Sequence, residues 1–201
     1  MPLKWPQACV AFSVQEDGSQ RREISHDAYR ELVVDALYRW SEADCGGGKP
    51  PSLQIYDRSP VTCNQAVYNK NPDVANANVW MFQDEAWPHE GTHTLALTTV
   101  TYNFKTGEIY DADVEVNSAA NDITVGDGLV EYDLKSIVMH EAGHALGLSH
   151  TPETSATMYW QYGESEINKR ALSRDDTAGI CAIYPPGERR GKCNPTPRHG
   201  F

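Results

Sequence analysis

His140-Glu141-Ala142-Gly143-His144-Ala145-Leu146-Gly147-Leu148-Ser149-His150 is the stretch from which the rest of the chain can be read. Asp133 is a good N-cap for a helix running to about Leu146, and Gly147 is placed to end it. Residues four apart share a helix face, so His140 and His144 can present both imidazoles to one metal ion. A third imidazole cannot follow on the next turn with tetrahedral geometry. Gly147 can adopt positive φ, turn the chain sharply and bring His150 back to the same point. Three neutral nitrogens with one position left open make a catalytic zinc site rather than a closed structural one. Glu141 lies beside the ligands and can reach a water at that open position, which makes it the candidate general base.

Working outward, Met158 in Ser155-Ala156-Thr157-Met158-Tyr159 follows eight residues after His150. Upstream, Ser25 caps a helix whose apolar stripe is Ala28, Tyr29, Leu32, Val33, Ala36, Leu37 and Trp40, ended by Gly46-Gly47-Gly48 and Pro50-Pro51. Residues 10–14, 53–56 and 78–82 read as short strands. Residues 94–104, the turn 105–107 and residues 108–116 read as a hairpin, and residues 117–128 as a loop. Ser173 and Asp176 form a capping box for a last helix of about ten residues, stopped by Pro185-Pro186. The basic tail, Gly187 to Phe201, should hug the surface or be loose.

Composition sets limits. The chain has 201 residues and a formal charge of −11, which argues against nucleic acid or an anionic membrane surface as the main partner. No apolar run approaches a membrane span, so no insertion is expected. The first residues lack the pattern of a signal peptide. None of the five cysteines forms a Cys-x-x-Cys pair, and scattered pairs of this kind suit disulfides in an oxidising compartment. Short loops close at lower entropic cost, so the expected pairs are Cys45 with Cys63 and Cys181 with Cys193, leaving Cys9 single. In an alternative, Cys193 reaches the metal as a latency ligand.

The His140–His150 stretch matches the extended zinc motif of the metzincin metalloproteases at every fixed position, and the segment around Met158 resembles their methionine turn. Astacins and serralysins carry a tyrosine two residues after that methionine, where this chain has Trp160. Thr151 after the third histidine, Tyr159 and Tyr162 one and four residues after Met158, and the Leu172–Tyr184 segment are instead similar to matrixins. The resemblance implies an α+β metzincin fold: a twisted, mostly parallel sheet with an antiparallel edge strand, two long helices and a C-terminal helix. A zinc cleft would separate an upper part, residues 1–147, from a lower part, residues 148–201. It further implies that Leu95-Ala96-Leu97-Thr98 is the rim strand that pairs with substrate. Leu95, Ala96, Tyr159 and Tyr162 are therefore candidate substrate-binding residues, and Trp160 a further candidate wall.

The chain departs from vertebrate-type matrixins. Leu97 and Asp113 stand where histidines of a second, structural zinc would be, so that ion is not expected, and His89 and His93 read as loop histidines facing water. No Pro-Arg-Cys-Gly latency sequence is present, which fits a mature catalytic domain or a bacterial-type minimal relative. Asp111, Asp113, Glu115, Asp122 and Asp127 could bind calcium, with a solvated acidic face as the plainer reading. The expectation is a secreted, monomeric zinc endopeptidase acting on protein or peptide substrates, with Glu141 as base. The rivals are a catalytically silent zinc-dependent binding or adhesion domain and a domain whose zinc is only structural.

Overall fold

The structure is a computed structural model and describes residues 1–71, 76–91, 93–128 and 130–187. Its sheet has the order β2-β1-β3-β5-β4, formed by β1 (Cys9–Val14), β2 (Gln54–Asp57), β3 (Val79–Phe82), β4 (Ala96–Tyr102) and β5 (Ile109–Val116). Strands β2, β1, β3 and β5 run parallel. All residues of β1 and β3 are buried, as suits parallel strands covered on both faces. Strand β4 closes the order antiparallel to β5, from Ala96↔Val116 to Thr101↔Asp111. Its outer edge therefore carries no strand among the described residues.

The alternation read from the sequence decides which face carries the core. Phe12, Trp80, Val114 and Val116 point toward α1 (His26–Ser41) and α2 (Leu134–Ala145) and share one apolar cluster with Tyr29, Leu37, Trp40 and Met139. Helix α1 starts where Ser25 Oγ accepts the Ala28 N–H. The Trp40 indole then donates to the Met139 carbonyl at 2.9 Å, which fixes α1 against α2. Helix α3 (Arg174–Ile183) begins with the expected capping box of Ser173 and Asp176. Several short elements escaped the sequence reading: a parallel pairing of β6 (Ile123–Thr124) with β7 (Tyr132–Asp133), and the 3₁₀ turns Pro6–Ala8 and Asn168–Arg170.

The opposite face of β5 corrects one expectation. Asp111, Asp113 and Glu115 alternate with apolar residues as read, yet they are 2%, 1% and 2% exposed rather than solvated. The long Asn/Pro-rich connection folds over them and supplies donors. Asp113 accepts the N–H groups of Val67 and Val79, and Glu115 accepts from Gln83 and pairs with His89 at 2.7 Å. His89 is thus a partner of a buried carboxylate, not a histidine turned only to water.

The cysteine pairing also differs. Cys45, just beyond α1, is bonded to Cys181 of α3 across 136 residues, with Cα atoms 5.5 Å apart. Cys9 is disulfide-bonded as well, and among the described residues the free thiol is the exposed Cys63. Loop entropy favours near neighbours, but it acts only among pairs that the fold brings within reach. Packing delivers the end of α1 to α3. Cys193 and the tail after Gly187 lie outside the described residues.

Candidate metal and active site

The three histidines converge. His140 Nε2 lies 3.2 Å from His150 Nε2, and His144 Nε2 lies 3.1 Å from the same atom. Each helical imidazole is aimed from behind: His140 Nδ1 is 2.7 Å from the Thr157 carbonyl, and His144 Nδ1 is 2.9 Å from the Leu148 carbonyl. A carbonyl only accepts, so the assigned tautomer puts the proton on Nδ1 and leaves the Nε2 lone pairs facing inward. Burial first, then neighbouring imidazoles, pushes His140 down to about 3, and burial also lowers His144 and His150. The neutral form is the ligating form. With the lone pair of His150 Nε2 turned to the same point, the three nitrogens form a set that a cation would hold together. Nitrogens about 2.0–2.1 Å from a tetrahedral zinc are about 3.3 Å apart, so the donor set fits that ion. Among the described residues this is the one group of three or more His, Cys, Asp or Glu side chains close enough to share a metal.

Gly147 makes the turn as expected, with φ 101°. The space beside it is also taken: a Cβ there would meet the Leu3 carbonyl oxygen at 2.4 Å. The first residues of the chain are held against the end of α2, where the Trp5 indole donates to Ala145 and Tyr184 Oη donates to Leu146.

Glu141 is 6% exposed, one residue from the first ligand. Burial pushes its carboxyl up to about 7, opposed by the Thr98 hydroxyl, which donates to Oε2 at 2.5 Å. Thr98 belongs to β4, so the rim strand and the candidate base are directly joined. Below the ligands, Met158 is 2% exposed. A Cβ on Gly143 would meet its sulfur at 2.2 Å, so the glycine inside the helical motif makes room for the methionine turn.

Asp176 holds that turn. Its Oδ2 accepts the Thr157 N–H at 2.8 Å and its Oδ1 the Met158 N–H at 3.0 Å, while the Thr157 carbonyl accepts from His140. A carboxylate read only as a helix cap therefore supports a ligand.

The cleft over the histidines has a volume of about 780 Å³. Leu95, Ala96 and Thr98 line one side, and Trp160, Gln161 and Tyr162 the other. Tyr159 does not line it; its ring lies against Trp160 and over the Lys169 ammonium.

The sequence profile of the matrixin family matches residues 4–185. The chain belongs to the matrixins. Over 181 residues it is 39% identical to human neutrophil collagenase, covering 90% of this chain and 33% of that protein. It is 31% identical to human matrix metalloproteinase-20 over 102 residues, 51% of this chain and 20% of that one. Metalloendoproteinase 1-MMP of Arabidopsis thaliana is 39% identical over 64 residues, 32% of this chain and 17% of that one. This matrixin chain thus spans about a third of the neutrophil collagenase's length or less of these relatives.

Three residues have tasks at the matrixin site that the sequence did not show: Thr98, read as part of the rim strand, bonds Glu141; Asp176, read as a cap, holds the methionine turn; and Lys169 was given no role. Asp176 had a local signal, the capping box, which conceals its second task. Thr98 and Lys169 had none, because their partners are 43 and 8–10 residues away. The acidic residues considered for calcium do not form one group. Asp122 pairs with Arg22 and Asp127 with Arg170, while the three carboxylates of β5 are buried, Asp113 accepting from Val67 and Glu115 from Gln83.

Proposed function

We propose that the protein is a zinc-dependent endopeptidase that hydrolyses internal bonds of extended polypeptides. The observation that carries this reading is the convergence of three neutral Nε2 atoms next to a buried carboxylate, at the floor of a cleft whose rim is an edge strand. A zinc ion held by His140, His144 and His150 would polarise the scissile carbonyl and lower the pKa of a water at its open position from about 15.7 toward 7.

The chain's own groups supply the rest. Strand β4 offers backbone N–H and C=O groups on its outer edge, so an extended peptide can add as a further strand with little dependence on its sequence. Thr98 holds Oε2 of Glu141 and thereby orients the carboxyl. Glu141 accepts the proton of the attacking water and returns it to the leaving amine. Its raised affinity for a proton, caused by burial, suits a group that must take and release one near neutral pH. The side chain that follows the scissile bond is received between α2 and the segment carrying Trp160 and Tyr162.

In this reading the protein works as a secreted monomer; the Cys45–Cys181 disulfide supports the oxidising compartment alone. Calcium is not part of the reading. Cleavage of a quenched fluorescent peptide by the zinc-loaded protein, abolished by a chelator and restored by zinc, is the expected result. Zinc-loaded, folded protein that binds peptide and cleaves neither that peptide nor casein would instead establish the silent binding domain.

A further inference from the structure

Lys169 stands on the 3₁₀ turn Asn168–Arg170 and is 2% exposed. A buried ammonium is costly unless its donors are satisfied. Here the partners are not carboxylates. Nζ donates to the carbonyls of Tyr159, at 3.0 Å, and Gln161. It also lies 5.2 Å from the centre of the Tyr159 ring and 4.6 Å from that of Tyr162, within cation–π range of both. All four groups belong to residues 159–162, the segment whose Trp160, Gln161 and Tyr162 wall the cleft. Among the described contacts of these two carbonyls, the ammonium is the donor that draws them to one point and so bends the segment around itself.

The same turn is tied to the rest of the site. The Thr157 hydroxyl faces the Ala171 carbonyl at 3.1 Å and the Lys169 carbonyl at 3.4 Å, and its one proton is shared between them. Arg170 donates through Nε and Nη2 to both oxygens of Asp133, the N-cap of α2, and through Nη2 to the Gly126 carbonyl. Lys169 and Arg170 therefore hold the cleft wall on one side and the start of the ligand helix on the other.

The geometry points to Lys169 as a positioning residue that sets the shape of the side-chain pocket and hence which substrate side chain is accepted. The inference deepens the endopeptidase reading and rests on it for the word substrate. A methionine of similar length fills the space but leaves two carbonyls without their donor. The segment then relaxes, and a pocket that fitted one side chain accepts others. A well-fitted apolar pocket distinguishes side chains differing by one methylene by about 10–200-fold.

The test uses two peptides that differ only in having leucine or alanine at the position entering the pocket. Binding is measured by calorimetry on zinc-loaded protein in a Glu141→Ala background, with Lys169 intact or replaced by Met or Gln. Metal content and melting temperature are recorded alongside. The parent background should prefer the leucine peptide, and Lys169→Met should reduce the affinity ratio about tenfold while one zinc per chain is retained. Lys169→Gln, which keeps donor hydrogens on a shorter side chain, should fall between and decides the matter if the Met variant does not fold. An unchanged ratio in a folded, zinc-loaded variant overturns the inference, and so does an equal weakening of both peptides. In parallel, the protein with Glu141 intact is assayed for cleavage. Failure to cleave sinks the endopeptidase reading and leaves the affinity ratio to judge Lys169 by itself.

Discussion

Replacing Asp176 by alanine tests the link between the C-terminal helix and the metal. The carboxylate is 1% exposed and accepts three backbone N–H groups, those of Thr157, Met158 and Ser173. Thr157 and Met158 are buried, so the substitution leaves two buried donors without acceptors, at about 1–3 kcal/mol each. Ser173 keeps its own capping bond to the backbone of residue 176, and loss of the reciprocal half of the capping box, the Ser173 N–H bond, adds about 1 kcal/mol. The sum, about 3–7 kcal/mol, is a large part of the 5–15 kcal/mol typical of a folded domain. The effect on the metal is separate. Once Thr157 is no longer held, its carbonyl orients His140 less well, and losing such support weakens metal binding by about 10–100-fold. At a fixed excess of zinc, a tenfold weakening removes about 1.4 kcal/mol of the stabilisation that zinc provides. Urea unfolding followed by tryptophan fluorescence, in chelator and in excess zinc, separates the two effects, and competition with a chromophoric chelator gives the affinity directly. Asp176→Asn keeps one oxygen acceptor and should be intermediate. Zinc affinity within twofold of the parent, together with a stability loss below about 1 kcal/mol, would refute the proposed chain of support.

Glu141→Ala should keep one zinc and the fold while peptide cleavage falls about 10²–10⁴-fold, measured as kcat/KM against metal content. Burial first, then the charge of Asp113, raises Asp111 to about 8, and burial raises Asp113 to about 6. The folded state therefore holds protons that the unfolded chain has lost above about pH 4. Stability from this pair is present at low pH and declines as pH rises toward 8, by up to about 1.4 kcal/mol per pH unit for each unbalanced proton. Urea unfolding at several pH values should show a shallower decline in Asp111→Asn, and an identical slope would contradict the assignment. Removing the Cys45–Cys181 bond by the paired alanine substitutions should cost up to about 5 kcal/mol by the loop-entropy relation for a loop of 136 residues. A melting temperature unchanged from the parent would show that the unfolded state is not restricted by this bond.

Local information carried far in this chain. The period of the apolar residues and the caps at Ser25, Asp133 and Ser173 marked all three helices to within a few residues, because hydrogen bonds and capping act within one or two turns. The i, i+4 spacing of His140 and His144 and the glycine at 147 specified the convergence of three imidazoles with His150, because a helix and a sharp turn leave those side chains little choice of direction. Folding decided what depends on partners distant in sequence. Cys45 met Cys181 instead of Cys63 because helix packing, not loop length, determines which thiols come together. The acidic side of β5 was buried because Val67, the start of β3, Gln83 and His89 came to it with hydrogen-bonding groups, while its alternating pattern is equally that of a solvated strand. Asp176 and Lys169 gained their tasks in the same way: each satisfies backbone groups of a turn 8–19 residues away, and nothing in a local pattern marks a carboxylate or an ammonium that will be buried against them.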